Sequence, residues 1–388
     1  MSLAAGDRGF IIPAGSGKDT TVKLETVAAG DRCVIMTNAS GKPVVVKLNP
    51  VAAGDRILVV PDRSGKSIPI RVAGGSAVMM EWVLMTDNFN VRSNHAAIVQ
   101  SDNRVIFMGG SESSGYLGNK HDVNYSDTKG ATWGPLTGAA AWSARLFPTA
   151  VILSNGHIIL MGGFDSNLLN DVWKSVNGGA TWTQQTASAG WSPRFMHRSV
   201  VTSDNTIVVM GGITNTASGI CSNEVWYSTD EGVTWYQCAS PGWSARGGHQ
   251  VSVLSTGEIV LTGGCDYATA PRTCYNDVWL SDDKGASWQC QSGGAEWHVR
   301  ERHLSVARHD GSIFVLGGYY YPGYYHNDVW KSVDKGITWV QPPETVSWPG
   351  RMDSAAVCLS NNEIIVMGGW GNIWNLRDCW RYKRVGDI

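Results

Sequence analysis

The sequence predicts an all-β protein whose main part is a six-bladed β-propeller. Three observations point to this fold class: a Gly-Gly pair occurs six times at near-constant spacing, a tryptophan hairpin motif recurs between the pairs, and no segment keeps a 3.6-residue apolar period. The 388 residues include 46 glycines and 18 tryptophans, a composition typical of a repeat protein with many tight turns.

The charge and hydropathy of the chain exclude several classes of function. Only 16% of residues are charged and the net charge is -2, so there is no surplus of Lys and Arg to neutralise phosphates. We therefore expect no nucleic-acid partner. No run approaches the roughly 20 apolar residues of a membrane-spanning helix, so we expect no membrane insertion. No signal peptide is visible at the start of the sequence.

The Gly-Gly pairs divide the chain into repeats. Successive pairs are separated by 53, 49, 52, 54 and 51 residues, which is the period of a four-stranded propeller blade. Before each pair lies a buried-type apolar run, and after it come a variable loop and two short strands. The pairs begin at Gly109, Gly162, Gly211, Gly263, Gly317 and Gly368.

A hairpin motif closes most repeats. Residues 228–235, 281–288 and 332–339 read Ser-x-Asp-x-Gly-x-Thr/Ser-Trp, and looser copies at 126–133 and 175–182 carry Thr or Asn in place of Asp. An Asp side chain that bonds its own turn, followed by a Gly with positive φ, is typical of a hairpin corner. The Trp is then expected to return to the blade interior.

The two motifs together resemble known propeller families. The Gly-Gly repeats resemble kelch repeats, and the hairpin motif resembles the Asp box of sialidases (neuraminidases) and related propellers. The resemblance covers about residues 78–388 and implies a propeller of the galactose oxidase and neuraminidase type, with variable loops on two faces.

The sixth repeat indicates how the ring closes. Trp380 follows the last Gly-Gly pair, and no fourth strand is visible after it. Trp82 lies 51 residues before Trp133, the spacing expected of equivalent positions. We therefore predict that residues 79–86 form the outer strand of the last blade, which would remove the exposed edges of an open array.

Residues 1–75 form a separate repeat module with a period of 24 residues. Ala-Ala-Gly-Asp-Arg begins at positions 4, 28 and 52, and Ser-Gly-Lys begins at 16, 40 and 64. Each unit reads as strand, turn and strand, and such hairpins are marginal singly. We predict a docking or oligomerisation module of three hairpins, 1–75, before a propeller domain, 78–388. A small closed barrel is the alternative.

One arginine per repeat is a candidate for ligand binding. Each lies 10 to 12 residues after the tryptophan of the preceding outer strand, at the entrance to a blade. Guanidinium groups converging at the central channel would favour carboxylates or other planar anions, whereas bracing of blade against blade is the alternative. The six are Arg92, Arg145, Arg194, Arg246, Arg300 and Arg351.

Four histidines, His95, His197, His249 and His303, each follow one of these arginines by three residues. Equivalent imidazoles can ligate a metal, but no Cys or carboxylate joins them at ligand spacing. We expect structural packing, no metal and no cofactor.

Two neighbouring loops are rich in aromatic residues, which stack on sugar rings or anchor a protein partner when exposed. Packing of the rings over each other is the alternative. The candidate ligand-binding residues in these loops are Tyr319, Tyr320, Tyr321, Tyr324, Tyr325, Trp370 and Trp374.

These features predict a non-catalytic propeller that binds a glycan or a protein through one face and is displayed on a larger assembly or homo-oligomer by residues 1–75. The alternative is a carbohydrate-active enzyme, either a sialidase-like hydrolase or a kelch-type sugar mutarotase. The sequence shows no assignable pair of carboxylates and no Tyr–Glu pair, so no catalytic residue is named.

The eight cysteines allow two interpretations. Cys221 with Cys238, and Cys274 with Cys290, occupy near-equivalent places across two hairpins and are candidate disulfides, although Cys265 and Cys274 would clip a loop instead. Cys33, Cys358 and Cys379 read as lone thiols. Repeated pairs favour an oxidising location, extracellular or on a virion surface, whereas eight reduced cysteines in the cytosol are the alternative.

Overall fold

The structure is a computed structural model. It describes residues 79–113, 118–344, 346–372 and 374–387, and six strands between residues 9 and 71. All regular elements in these described residues are β-strands. The chain divides into two compact units, Met1–Met79 and Met80–Ile388.

The first unit contains three antiparallel strand pairs, as the repeated motifs predict. The first two pairs also join through their inner strands into one four-stranded sheet in chain order. The Ser-Gly-Lys turns lie outside the described residues. The pairs are Gly9–Ile12 with Thr20–Thr26, Arg32–Thr37 with Pro43–Leu48, and Ile57–Pro61 with Ser67–Arg71.

The second unit is a six-bladed propeller, which confirms the predicted fold class. In order from the innermost strand outward, blade 1 contains Ala96–Val99, Val105–Met108, Val123–Ser126 and Gly134–Thr137. Blade 2 contains, in the same order, Thr149–Ile152, Ile158–Phe164, Leu168–Ser175 and Thr183–Thr186. Blade 3 contains Arg198–Val201, Ile207–Met210, Val225–Ser228 and Tyr236–Gln237.

The remaining blades repeat this antiparallel order. Blade 4 contains Gln250–Val253, Ile259–Thr262, Val278–Ser281 and Gln289–Ser292. Blade 5 contains Leu304–Ala307, Ile313–Leu316 and Val329–Ser332, with a single bridge from Lys331 to Val340 where a fourth strand was expected. Blade 6 contains Ala355–Cys358, Ile364–Met367, Cys379–Arg384 and Met80–Thr86.

Short strands follow the Gly-Gly pairs and form hairpins beyond the blades. In blades 3, 4 and 5 these are Ile213–Asn215 with Ile220–Cys221, Cys265–Asp266 with Thr273–Cys274, and Tyr319–Tyr320 with Tyr324–Tyr325. At blade 6, Arg351–Met352, Trp370–Gly371 and Trp374–Asn375 form a small sheet.

The ring closes as predicted. Met80–Thr86 pairs antiparallel with Cys379–Arg384, and Trp82 lies opposite Tyr382. The six inner strands contact each other in a closed circle, from blade 1 through blade 6 and back to blade 1. The closed ring therefore has no terminal blade, whereas an open array would leave the faces of its first and last blades exposed.

Apolar residues between neighbouring blades form the core. The second strand of every blade is buried at all of its first four positions, as expected for a strand covered on both sides. The hairpin motifs are held by hydrogen bonds within their own turns. In blade 3, Ser228 Oγ accepts from the amide of Gly232, and Asp230 bonds Thr234. Gly232 has a φ of +87°, and a Cβ there would lie 2.8 Å from Val172 of blade 2.

Closure by Trp82 yields a stability prediction. Trp82 is 9% exposed and packs edge-on against Trp348, with centroids 5.8 Å apart. Trp82→Ala should lower the free energy of unfolding by about 3–5 kcal/mol, the usual cost of truncating a buried aromatic side chain. Urea denaturation measures this cost.

Leu84 is the matched control, because it lies on the same strand but is 45% exposed. Leu84→Ala should change the unfolding free energy by about 0.5 kcal/mol or less. Equal losses for both variants would contradict a closing role for the buried Trp82 side chain.

Candidate functional site

The six predicted arginines are buried and bonded inside their own blades. In blade 4, Arg246 Nη1 donates to the carbonyl of Gly263 at 2.9 Å, and its guanidinium pairs with both carboxylate oxygens of Asp277 at 2.6 and 2.9 Å. The same guanidinium lies 5.9 Å from the Trp243 ring. The equivalent ion pairs are Arg92–Asp122, Arg145–Asp171, Arg194–Glu224, Arg300–Asp328 and Arg351–Asp378.

These contacts give the arginines a structural role, which braces each blade internally; bracing of one blade against the next stays a prediction. All six arginines are at most 1% exposed, so their guanidinium groups offer almost no surface to a ligand. Burial alone would raise the pKa of the Asp328 carboxyl, but the hydrogen bond and charge of Arg300 lower it below its ordinary value. A role for these arginines in binding an anion stays a prediction.

The four histidines pack beneath the Gly-Gly pairs. Burial lowers the pKa of His95 to about 3 and holds the pKa of His197, His249 and His303 well below the ordinary range, so the four imidazoles are neutral. A Cβ at Gly264 would lie 2.7 Å from the side chain of His249, and the φ of Gly264 is +95°. The arrangement explains why a Gly is needed beside each His.

The residues two positions after the arginines form a ring that the sequence analysis did not identify. Their φ angles lie between +51° and +65°, in the left-handed region. Amide-to-carbonyl hydrogen bonds join neighbours around the propeller axis, such as Asn94 to Asp353 at 2.9 Å and Arg302 to Gly248 at 2.7 Å. We call these six residues the mouth ring: Asn94, Phe147, Met196, Gly248, Arg302 and Asp353.

A cavity of about 580 Å³ opens at the mouth ring. One wall is apolar and belongs to a buried cluster; it consists of Leu146, Phe147, Phe195, Met196 and Ile213. The other wall carries charged and polar groups; it includes Asn94, Tyr267, Arg272, Arg302 and Asp353. The volume lies within the range of about 300–1,000 Å³ that is usual for ligand pockets.

The polar wall is organised around Glu301, which is fully buried. Tyr267 Oη donates to Glu301 Oε2, and Arg272 Nη1 lies 3.1 Å from Glu301 Oε1. Arg302 lies 3.6 Å from Glu301 and 3.3 Å from Asp353. One network of charge-assisted contacts therefore holds Arg272 and Arg302, the two arginines that line the cavity.

Burial shifts the titration of this network. It raises the pKa of the Glu301 and Asp353 carboxyls above their ordinary values, although Arg302 opposes the shift. Burial also disfavours the charged form of Arg302, but Glu301 and Asp353 together raise its pKa. Arg302 therefore stays charged throughout the physiological pH range.

The predicted aromatic loops lie beside this cavity. Trp370 lines it and donates from Nε1 to Tyr325 Oη at 3.1 Å, so the two loops meet. Tyr321 and Tyr324 are 48% and 59% exposed. Arg272 lies 5.5 Å from the Tyr321 ring and 4.3 Å from the Tyr267 ring, which links the loop to the polar wall.

The other aromatic candidates fit the packing alternative in part. Tyr319 packs against Tyr325 with centroids 5.1 Å apart, and Tyr320 packs against His298 at 4.4 Å. The backbone of Trp374 pairs with Gly371 in the small sheet of blade 6. Of the predicted set, the structure brings Trp370 into the cavity lining and Tyr321 next to the cavity residue Arg272, while Tyr324 is exposed on the same loop as Tyr321.

The fold brings together polar groups that could not be assigned from the sequence. The sequence showed no assignable Tyr–Glu pair and no positioned carboxylates, yet the fold places Tyr267 against Glu301 and adds Asp353. For Asp353 a signal was present in the sequence, because the position two residues after each repeat arginine carries a different residue in each repeat. Tyr267 and Glu301 do not lie at that position.

The predicted cross-strand disulfides are wrong, and the alternative clip is present. Cys265 and Cys274 lie directly opposite each other in the hairpin of blade 4 and form a disulfide. Cys221, Cys238 and Cys290 are free thiols, because the first two belong to different hairpins and Cys290 lies opposite Trp279. The disulfide closes the loop that carries Tyr267 and Arg272. The location of the protein in an oxidising compartment stays a prediction.

Of the lone thiols, Cys379 is buried and Cys358 is half-buried, and the side chain of Cys33 lies outside the described residues.

Within the described part of the chain, no group of three or more His, Cys, Asp or Glu side chains is placed to hold a metal ion. No helix in that part is long and apolar enough to cross a membrane.

Comparison with known proteins supports the kelch part of the expected resemblance. Residues 196–386 match the KLHDC2/KLHL20/DRC7 Kelch-repeats domain, which identifies kelch repeats in blades 3 to 6. The Asp-box and sialidase part of the resemblance stays a prediction.

Among curated proteins, the chain is similar to the flagellar outer-arm dynein alpha chain of Chlamydomonas reinhardtii. The two are 25% identical over an alignment of 136 residues, and the match covers 32% of this chain and 3% of the dynein. The chain thus spans only a small part of the length of this relative.

Solved structures share the fold at low sequence identity. The structure of YjhT gives a TM-score of 0.62 at 14% identity and covers 76% of this chain and 96% of its own. A fungal alcohol oxidase of the AA5 family in complex with copper gives a TM-score of 0.55 at 15% sequence identity. The match covers 78% of this chain and 76% of the oxidase chain. A protein of unknown function from Dyadobacter fermentans gives a TM-score of 0.53 at 12% sequence identity. The match covers 79% of this chain and 97% of that protein's chain. At these identities the likeness shows the fold alone.

The bracing role of the arginines is tested by stability. Arg246→Met should lower the free energy of unfolding by about 3 kcal/mol or more, because it leaves the largely buried Asp277 carboxylate without its partner. Denaturant unfolding measures the loss.

Arg104→Met is the control, since Arg104 pairs with Asp127 while both side chains are well exposed, at 34% and 50%. It should cost less than about 1 kcal/mol. A loss for Arg246→Met as small as this one would contradict the bracing role.

Proposed function

We propose that this protein is a non-catalytic binding propeller that holds a glycan or protein ligand at its mouth face. The observation that carries the proposal is the cavity at the mouth ring, whose lining combines apolar and charged side chains. Small-ligand sites typically combine an apolar lining with a few fixed polar groups. The kelch match of blades 3 to 6 is compatible with an interaction role.

The divergence of the mouth ring supports binding at this place. The backbone of the ring is the same in every blade, whereas the side chains change from Phe147 and Met196 to Arg302 and Asp353. The arginine contacts do not require this difference, because they lie at another position of each repeat, although Phe147 and Met196 also pack in a buried apolar cluster. A repeat position with constant backbone and varied side chains is suited to recognition.

The exposed aromatic residues extend the site outward. Trp370 lines the cavity, Tyr321 lies beside the cavity residue Arg272, and Tyr324 is exposed on the same loop as Tyr321; they offer faces on which a sugar ring or an apolar side chain stacks. Each such contact contributes about 0.5–1.5 kcal/mol. Useful affinity therefore needs several contacts or multivalent display.

A cavity-filling substitution tests the proposal. Ala217 is exposed and lines the cavity on the loop of blade 3, so Ala217→Trp should block the site and leave the fold intact. On a glycan array, and against candidate protein ligands, this variant should lose at least about tenfold in affinity, the effect of losing roughly 1.4 kcal/mol.

The matched control is Val233→Trp, which adds the same side chain at a 47% exposed position of the outer hairpin of blade 3. It should bind like the unsubstituted protein. Binding that survives Ala217→Trp, or is lost equally in both variants, would rule out the mouth cavity as the site.

A carbohydrate-active enzyme is the second candidate, and a specific contact favours it. Tyr267 is held against the buried Glu301 beside Arg272 and Arg302, and Asp353 adds a second carboxyl. Phenol and carboxyl groups in one pocket are able to carry acid–base or nucleophilic steps on a sugar. Turnover of a sialoside, or faster sugar mutarotation, that is lost in Tyr267→Phe would replace the binding-only proposal.

We also propose that residues 1–75 attach the propeller to a larger assembly or join copies of the chain. The strand pairs of this module support the proposal, because small hairpin sheets need further burial for stability. Light scattering on residues 1–75 should show an oligomer. The full chain should form an oligomer with the same number of copies. A folded monomer of residues 1–75 would contradict this and favour the closed-barrel alternative.

A further inference from the structure

We propose that a small monovalent anion binds in the axial channel of the propeller, beside the guanidinium group of Arg198. The axial channel is the space that the six inner strands enclose. The inference is independent of the ligand of the mouth cavity. Three features support it: a charged residue among neutral strands, a guanidinium group with incomplete hydrogen bonding, and a narrow entrance.

Arg198 is the only charged residue in the six inner strands, all of which the structure describes. The repeat does not require a charge at this position, because the other five inner strands begin with the neutral residues Ala96, Thr149, Gln250, Leu304 and Ala355. Burial of a charged group costs desolvation free energy, which a nearby charge of opposite sign offsets.

The hydrogen bonds of Arg198 leave part of its guanidinium group unused. Nε donates to Gln250 Oε1 at 2.9 Å, and Nη1 donates to the carbonyl of His197 at 3.2 Å. A guanidinium group carries five N–H groups, so three of them have no acceptor in the described part of the chain. The side chain is half-buried and keeps some accessible surface. These N–H groups are therefore available to an anion.

No carboxylate forms an ion pair with Arg198 in the described part of the chain. Asp353 contacts Arg302 instead, at 3.3 Å. Burial lowers the pKa of Arg198 to about 10, although Asp353 opposes the shift, so the guanidinium group is charged at neutral pH. Because Arg198 belongs to blade 3 and Asp353 to blade 6, on opposite sides of the ring, their interaction places the guanidinium group near the propeller axis.

The histidines near Arg198 bring no negative charge. Burial and nearby arginines, Arg198 among them, hold the pKa of His197, His249 and His303 well below the ordinary range, so the imidazoles are neutral. Both ring nitrogens of His249 are buried without a hydrogen-bond partner in the structure. A neutral imidazole carries one N–H group, so this ring holds a further unused donor.

The entrance from the mouth face limits the size of the anion. Neighbouring residues of the mouth ring are joined by five amide-to-carbonyl hydrogen bonds of 2.7 to 3.1 Å. Arg198 begins its inner strand two residues after the ring residue Met196 and does not belong to the described lining of the mouth cavity. A ring closed by direct hydrogen bonds admits a small ion but excludes a sugar or a peptide. One unpaired positive charge favours a monovalent ion such as chloride.

Chloride titration of the full chain tests the inference. Sodium chloride replaces sodium gluconate at constant ionic strength and neutral pH, and urea unfolding is followed by tryptophan fluorescence. This signal reports only on the propeller, because all 18 tryptophans lie between residues 82 and 380. At a chloride concentration of about ten times the Kd, the ratio of folded to unfolded protein should rise about tenfold. Sodium sulfate should not reproduce this rise.

Bromide and a substitution locate the site. In crystals grown with sodium bromide, anomalous scattering should show a bromide ion within hydrogen-bond distance of Arg198. Arg198→Met should abolish the chloride dependence. In gluconate this variant should be at least as stable as the unsubstituted protein, because it no longer buries an unpaired charge. Arg104→Met, at an exposed ion pair on blade 1, is the control and should keep the full dependence.

Unfolding that does not depend on chloride, or the absence of bromide beside Arg198, overturns the inference. An equal effect of sulfate also overturns it, because it would indicate general screening of charge. Full chloride dependence in folded Arg198→Met has the same consequence. If Arg198→Met does not fold, the position of bromide in the unsubstituted protein decides the question. All of these results leave the proposed function of the mouth cavity standing, which Ala217→Trp tests separately.

Discussion

The buried arginine of each blade is the interaction on which the remainder of the propeller depends. It joins the segment that enters a blade to the first Gly carbonyl and to a carboxylate before the third strand, as Arg300 does with Gly317 and Asp328. Burying such a pair costs desolvation free energy, which forked hydrogen bonds offset only when the geometry is good. The pair therefore permits little variation in how the chain enters a blade.

The mouth ring is a consequence of this constraint. Because every arginine holds the entering segment in the same way, the residue two positions later takes a left-handed conformation in all six blades. Five of the six residues at that position line a shared cavity, and two of them, Phe147 and Met196, also pack in a buried apolar cluster. The arginine contacts thus secure the fold, and the ring offers positions at which the side chains differ between blades.

The loop of blade 4 shows how a site is completed from outside the repeat. Tyr267 and Arg272 reach Glu301 of the next blade only because a hairpin closed by Cys265–Cys274 carries them there. Nothing in the repeat motif predicts this loop, whose length and contacts are particular to one blade. The sequence suggested several pairings for these cysteines, and only the register of the hairpin distinguishes them.

The repeat period, the number of blades and the closure through Trp82 could all be predicted from the amino-acid sequence, because they follow from local turn chemistry and alternating burial that recur along the chain. The same repeats placed the aromatic loops of blades 5 and 6 next to each other. The partners of the six arginines, the Tyr267–Glu301 contact and the charged wall of the cavity became visible only in the folded propeller. These contacts join residues from 17 to 51 positions apart, and side chains on different blades meet only when the ring is closed.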